Sequence, residues 1–194
     1  MGKLKREDLW SLEEYAQKRP QFRAEVMAHK KDRQVRLGEH ATLYFEDETT
    51  MRYQIQEMLR AERIFEAEGI QEELDAYNPL IPDGSNWKAT FMVEYDDIDE
   101  RKQALAKLIG IEEKVWICVD GFEKVYPIAD EDLERETEEK TSSVHFMRFE
   151  LTAPMAAAVK EGAAIGAGID HSAYQATLDP LPENIRGSLA QDLA

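Results

Sequence analysis

The residues with chemistry to offer are scattered, and their spacing decides what they could do. His145 stands in SVHFMRFEL, where strand alternation sets it with Met147, Phe149 and Leu151 and sets Arg148 with Val144, Phe146 and Glu150. Both faces are mostly apolar with polar exceptions, the pattern of a strand covered on both sides. Buried Arg and Glu need partners, so Arg148 and Glu150 read either as a structural network or as one side of a polar pocket. Tyr53, Gln56, Glu57 and Arg60 fall close together at helical spacing, and Arg63 lies a turn on. Tyr77 and Asn78 approach them if the next loop folds back. Arginine with Asn and Tyr could hold a carboxylate or phosphate. Equally, Glu57 and Arg60 could form only an intrahelical pair worth roughly a few tenths of a kcal/mol. Asp170-His171 could act as an acid–base pair, although adjacent residues point apart and no Ser or Cys motif marks a nucleophile.

Other patterns are weaker. Glu57, Glu62 and Glu66 share one stretch, but no histidine follows any of them at the Glu-x-x-His spacing of a di-iron helix site. The four histidines, His29, His40, His145 and His171, show no paired spacing. Cys118 is the only cysteine, which excludes an internal disulfide and a cysteine zinc site within one chain. It reads as an inert core thiol. No metal and no cofactor are expected. Gly162, Gly166 and Gly168 follow a helix instead of opening one, which is the wrong context for cradling phosphate. They read as a small-residue turn that lets Asp170, His171 and Tyr174 pack closely.

These residues need elements to hold them. Ser11 and Glu14 form a capping box, and Pro20 suits the first position of a second helix carrying Phe22, Val26 and His29. Gln34–Leu37 and His40–Glu46 alternate as strands, with a hairpin turn at Gly38-Glu39. A long helix is predicted from Glu48 or Thr49 to about Glu68, with Met51, Ile55, Met58, Leu59 and Phe65 as its buried stripe and Gly69 as its stop. Gln71–Tyr77 reads as a short helix. Residues 78–86 read as a loop pinned by Leu80 and Ile81, with a turn at Asp83-Gly84. Lys88–Tyr95 alternates as a half-buried strand, and Asp97 or Asp99 can cap a helix closed by Gly110. Val115–Val119 and Lys124–Ile128 read as a hairpin across Asp120-Gly121. Asp130–Lys140 reads as a solvated helix, Ser143–Leu151 as a strand and Pro154–Gly162 as an Ala-rich helix. The order of periods predicts an α+β class, a single domain with a mainly antiparallel sheet and packed helices. It spans residues 1–175, including a basic helical segment at 1–36, and 176–194 form a C-terminal tail with a short helix. Any functional pocket is expected where the long helix, the Tyr77–Asn86 loop and the Val144–Glu150 strand meet.

Charge narrows the partners. The chain carries a net charge of −16, which disfavours nucleic acid and anionic membrane. Residues 1–36 are nonetheless basic, with ten Lys/Arg against six Asp/Glu. A basic end on an acidic body can orient a partner or another copy of the chain, so a homo-oligomer is one outcome. The start, MGKLKREDLW, lacks the apolar core of a secretion signal, and no run approaches about 18 apolar residues. A soluble, cytoplasmic protein is expected.

Five strings carry a family likeness: SLEEYAQKRPQFRAEVMAHKK, LYFEDETTMRYQIQEMLRAERI, LDAYNPLIPDGSNWKATF, YPIADEDLERETEEKTSSVHFMRFELT and GIDHSAY. In this order they resemble the uncharacterised bacterial family named domain of unknown function thirty-five-oh-one, over nearly the whole chain. Ser172 departs from the proline that the family pattern places after the Asp-His pair. The resemblance carries no catalytic residue, and the residues leave open whether the chain is an enzyme. Family members are often encoded beside rubrerythrin-like proteins and iron–sulfur oxidoreductase subunits. That implies an accessory or interaction protein for peroxide defence or electron transfer, with a rubrerythrin-like or iron–sulfur partner. The alternative is an enzyme or sensor that binds a small anionic ligand with Arg60, His145 and Arg148.

Overall fold

Ser11 accepts a hydrogen bond from the Glu14 N–H while the Glu14 carboxylate accepts one from the Ser11 N–H. This capping box starts α1 (Leu12–Lys31) in the computed structural model, which describes residues 2–194. Pro20 does not begin a second helix; it lies inside α1. The lost backbone donor is outweighed because Tyr15 and Val26, on either side of it, are both fully buried.

β1 (Gln34–Leu37) and β2 (Ala41–Glu46) form the predicted hairpin, with Gly38 at φ +76°. Asp47 caps α2 (Glu48–Glu62) by accepting from the Thr50 N–H. This helix stops earlier than expected. Arg63 adopts the left-handed region at φ 56°, and α3 (Ala67–Tyr77) follows with Gly69 inside it. Phe65 therefore sits in the turn, 70% exposed, instead of extending the buried stripe of Met51, Ile55 and Leu59.

A 3-10 turn at Asn78–Leu80 leads to β3 (Asn86–Val93), α4 (Ile98–Lys107) capped by Asp97, and β4 (Val115–Val119). The hairpin across Asp120-Gly121 forms only in part. Val125 exchanges both backbone hydrogen bonds with Ile117, then the chain leaves so that β5 (Ile128–Ala129) pairs with β6 (Val144–Glu150). Asp130–Lys140 is not a helix. It is an irregular strap in which Arg135 bonds Asp130 and Asp132, so its charges bind one another and the body instead of lining a helix face.

α5 (Ala153–Lys160) precedes β7 (Ile165–His171), β8 (Tyr174–Leu178) and α6 (Glu183–Ala190). Gly166 and Gly168 are thus strand residues, not a turn. Gly168 pairs with Trp116, and a Cβ there would overlap the indole and stand 2.6 Å from the Ala176 carbonyl. Residues 176–194 contain the expected short helix, yet Leu181, Ile185, Leu189 and Leu193 are buried in the main core.

The class is α+β, with two antiparallel sheets instead of one: β1-β2-β3-β6-β5 and β4-β7-β8. Val35, Leu43, Phe45, Ala89, Phe91, Met147 and Phe149 from the first share a core with Val115, Ile117, Ile165 and Ile169 from the second. A second, smaller core joins Met51, Ile55 and Leu59 of α2 to Leu74 of α3, Ile81 and Leu4. Among the described residues no helix is long and apolar enough to cross a membrane.

Candidate functional site

Strand alternation sends Ala89, Phe91, Met147 and Phe149 into the main core and leaves Lys88, Thr90, Phe146 and Arg148 half-buried on the other face. The register sets Lys88 opposite Arg148 and Thr90 opposite Phe146. Two cations directly opposed on one face repel unless carboxylates neutralise them. Arg148 is neutralised twice. Its Nε and Nη2 donate to the two oxygens of Glu131 at 2.9 and 2.7 Å, and its Nη1 donates to Glu150 at 2.5 Å. Glu150 also accepts from Asn86 at 2.8 Å. The guanidinium is held above its ordinary value, chiefly by Glu131, and Glu131 is held below the ordinary carboxyl range.

Lys88 has no such partner. Its ammonium donates to the Pro79 carbonyl at 2.9 Å, and among the described residues it forms no ion pair. Glu46, its partner across β2, is occupied elsewhere, accepting from the Thr50 and Thr90 hydroxyls at 2.6 and 2.8 Å. Burial, then the neighbouring Arg148, push the Lys88 ammonium below its ordinary value.

Above this pair lies a cavity of about 670 Å³, within the range of small-molecule sites. Asp75, Ala76, Tyr77, Pro79 and Leu80 form one wall, Glu131 and Asp132 of the strap form another, and Lys88, Phe146, Met147 and Arg148 line the remainder.

The residues singled out from sequence divide between this cavity and structural duties. Tyr77 and Arg148 line it, with Glu150 behind Arg148. Arg60 is exposed and is not among the lining residues. Tyr53 is buried against Phe22 with their ring centroids 6.0 Å apart. Glu57 accepts from the Tyr15 hydroxyl at 2.6 Å and from both sides of the Arg19 guanidinium at 2.7 and 3.0 Å, which ties α2 to α1 and lowers its pKa. Its partner is Arg19, not Arg60. Asn78 is a clamp: its amide donates to the Leu4 carbonyl at 2.9 Å and accepts from the Leu4 N–H at 2.8 Å.

His145 lies on the opposite face from Arg148, fully buried. Its Nδ1 stands 2.5 Å from Asp130, its Nε2 3.1 Å from the Ser142 carbonyl and 3.0 Å from the Thr141 hydroxyl, and Glu112 lies 3.8 Å away. Burial raises the Glu112 carboxyl above its ordinary range. This cluster fastens both ends of the strap to the body. Arg60, His145 and Arg148 therefore do not share one pocket. Asp170 and His171 point apart as neighbours on a strand do. Asp170 pairs with Lys124 at 2.8 Å on the surface, whereas buried His171 reaches the Ile109 carbonyl at 2.9 Å and accepts from the Ala173 N–H.

Sequence reasoning missed Lys88 and Glu131. The first left little signal, since alternation sets it with Thr90 and Met92 on the outer face of the strand, where a lysine is ordinary. Glu131 had none, lying in a run of charges that resembles any solvated segment. Also missed was a fully buried pair, Arg33 with Asp192 at 2.5 Å, beside which His29 meets Asp47 at 2.5 Å. Among the described residues no group of three or more His, Cys, Asp or Glu side chains is arranged to hold a metal ion. Cys118 is half-buried, its thiol raised by burial and near the Phe122 carbonyl at 3.2 Å.

A family model described as protein of unknown function (DUF3501) matches residues 3–193. A crystal structure of a protein of unknown function from Burkholderia pseudomallei is similar over 100% of both chains, at 53% identity and a TM-score of 0.94. No curated protein matches.

Proposed function

This chain belongs to the family of proteins of unknown function DUF3501, which brings no activity with it, and from the cavity itself we propose that the protein binds a small molecule with an anionic group and an apolar body. The observation that carries this reading is Lys88. A half-buried ammonium without a carboxylate partner is costly, because desolvation disfavours its charge. An anionic ligand supplies the direct ion pair that the carboxylates of Glu131, Asp83 and Glu150 provide to Lys88 only from a distance. Tyr77, Pro79, Leu80 and Phe146 offer apolar surface for the remainder of the ligand. Arg148 keeps its place in the reading, while Arg60 and His145 do not.

The test is titration calorimetry and thermal shift with hexanoate, citrate and inorganic phosphate. At least one is expected to bind and to raise the melting temperature. Lys88→Ala is expected to weaken that binding by about tenfold or more, the worth of a charge-assisted hydrogen bond. Unchanged binding by Lys88→Ala, or no binding by the native protein, defeats the proposal.

A second reading keeps the chain as an accessory protein to a rubrerythrin-like or iron–sulfur partner. Its support is the division of charge, a basic N-terminal segment on an acidic body, with Lys31 of α1 exposed. It places no chemistry in the cavity.

A further inference from the structure

Resting on the ligand cavity proposed above, we propose that its ligand carries a carboxylate that takes the place of Glu131 on Arg148, and that Glu131 is a built-in competitor for it. The side chain that the fold itself sets on Arg148 is a carboxylate, engaged fork to fork through two parallel hydrogen bonds of 2.9 and 2.7 Å. That is the geometry by which a guanidinium selects a planar carboxylate. Both groups line the cavity, so a ligand within it meets the pair directly.

The two carboxylates on Arg148 are held differently. Glu150 belongs to β6 and is fixed from behind by Asn86, so it keeps the guanidinium aimed whether or not Glu131 is present. Glu131 belongs to the irregular strap, and its side chain is half exposed. It can leave without releasing the strap, which is fastened by other residues. Asp130 bonds His145 and accepts from the Phe146 N–H at 3.0 Å, Arg135 bonds Asp130, and Glu136 accepts from the Gly110 N–H at 2.5 Å. Rotation of one side chain therefore exposes the fork. The incoming carboxylate meets Arg148 with Lys88 beside it, and its hydrocarbon lies against the apolar wall. The apparent affinity of the native protein is reduced by the fraction of time that Glu131 holds the site.

Calorimetric titration with hexanoate, set against inorganic phosphate, tests this in four forms: native protein, Glu131→Gln, Asp75→Asn and Arg148→Lys. Glu131→Gln is expected to bind hexanoate about fivefold more tightly, the release of one partly exposed ion pair. Asp75→Asn removes the same charge from the same cavity without freeing Arg148, so it reads the loss of repulsion alone and is expected to gain less than Glu131→Gln. Arg148→Lys keeps the charge but loses the fork, and is expected to lose hexanoate more than phosphate. Hexanoate affinity that is equal or lower in Glu131→Gln overturns the inference, as does an equal gain in Asp75→Asn or no hexanoate binding by any form. If phosphate or citrate still binds through Lys88 in those cases, the cavity reading stands and only the competitor role falls.

Discussion

Asp192 shows how far a side chain can be taken from its ordinary chemistry by its neighbours. It is almost fully buried against Arg33, and burial pushes its carboxyl up to about 6 even though Arg33 acts to lower it. A carboxyl whose folded value is raised contributes stability that is complete below its ordinary value and is lost as the pH rises through the raised one. The window is therefore about pH 4 to 6. Measured as melting temperature against pH, the advantage of the native protein over Asp192→Asn is expected to be greatest near pH 4 and to shrink by pH 7. A constant difference across that range would contradict this assignment. His145 belongs to the same scale. Every polar atom of its ring faces a partner, which marks it as a fastening for the strap and not as an open acid or base.

At the scale of elements, β7 depends on what its glycines leave out. The Trp116 indole of β4 lies across the Gly168 position, with the Lys124 ammonium over the ring at 4.1 Å from its centroid. Gly168→Ala puts a methyl group into the indole and against the Ala176 carbonyl. A well-packed sheet cannot absorb that, and a loss of about 2 kcal/mol or more is expected in urea unfolding. Trp116→Leu in the same chain should recover part of it, since the clash is with that ring. The strap, too, takes its path from neighbouring elements. Its charges make no helix because Asp130, Glu131 and Glu136 find partners on β6 and before β4 that a helix would turn away from them.

The whole molecule is polarised. A chain of net −16 keeps an excess of positive charge in its first 36 residues. The α1 surface holds Lys31 exposed, whereas Lys30 sits 5.6 Å over the Tyr53 ring. If the accessory reading holds, Lys31→Glu weakens capture of a redox partner from native lysate, and capture declines with added salt because exposed charges are screened within about 10 Å at 0.1 M. Lys88→Ala should leave that capture intact. Capture that ignores both Lys31→Glu and salt would dispose of this reading while leaving the cavity untouched.

What the sequence determined by itself is local. The Ser11–Glu14 capping box, the Gly38 hairpin, the Asp97 cap and the alternation of Lys88–Tyr95 and Ser143–Leu151 each depend on residues a few positions apart, so the α+β class and most elements were legible. Tertiary structure decided whatever depends on distant partners. Pro20 stays helical because Tyr15 and Val26 are anchored on the body, and Gly166–Gly168 became a strand because Trp116 and Asp179 need the space. The site divides in the same way. Arg148 and Tyr77 were visible as polar residues beside apolar patterns. The cavity itself required knowing that β3 sets Lys88 opposite Arg148, and that Glu131 returns from a charge run to meet it. Neither pairing leaves a local trace, because sheet register and the path of an irregular strap are fixed by packing among residues far apart in the chain.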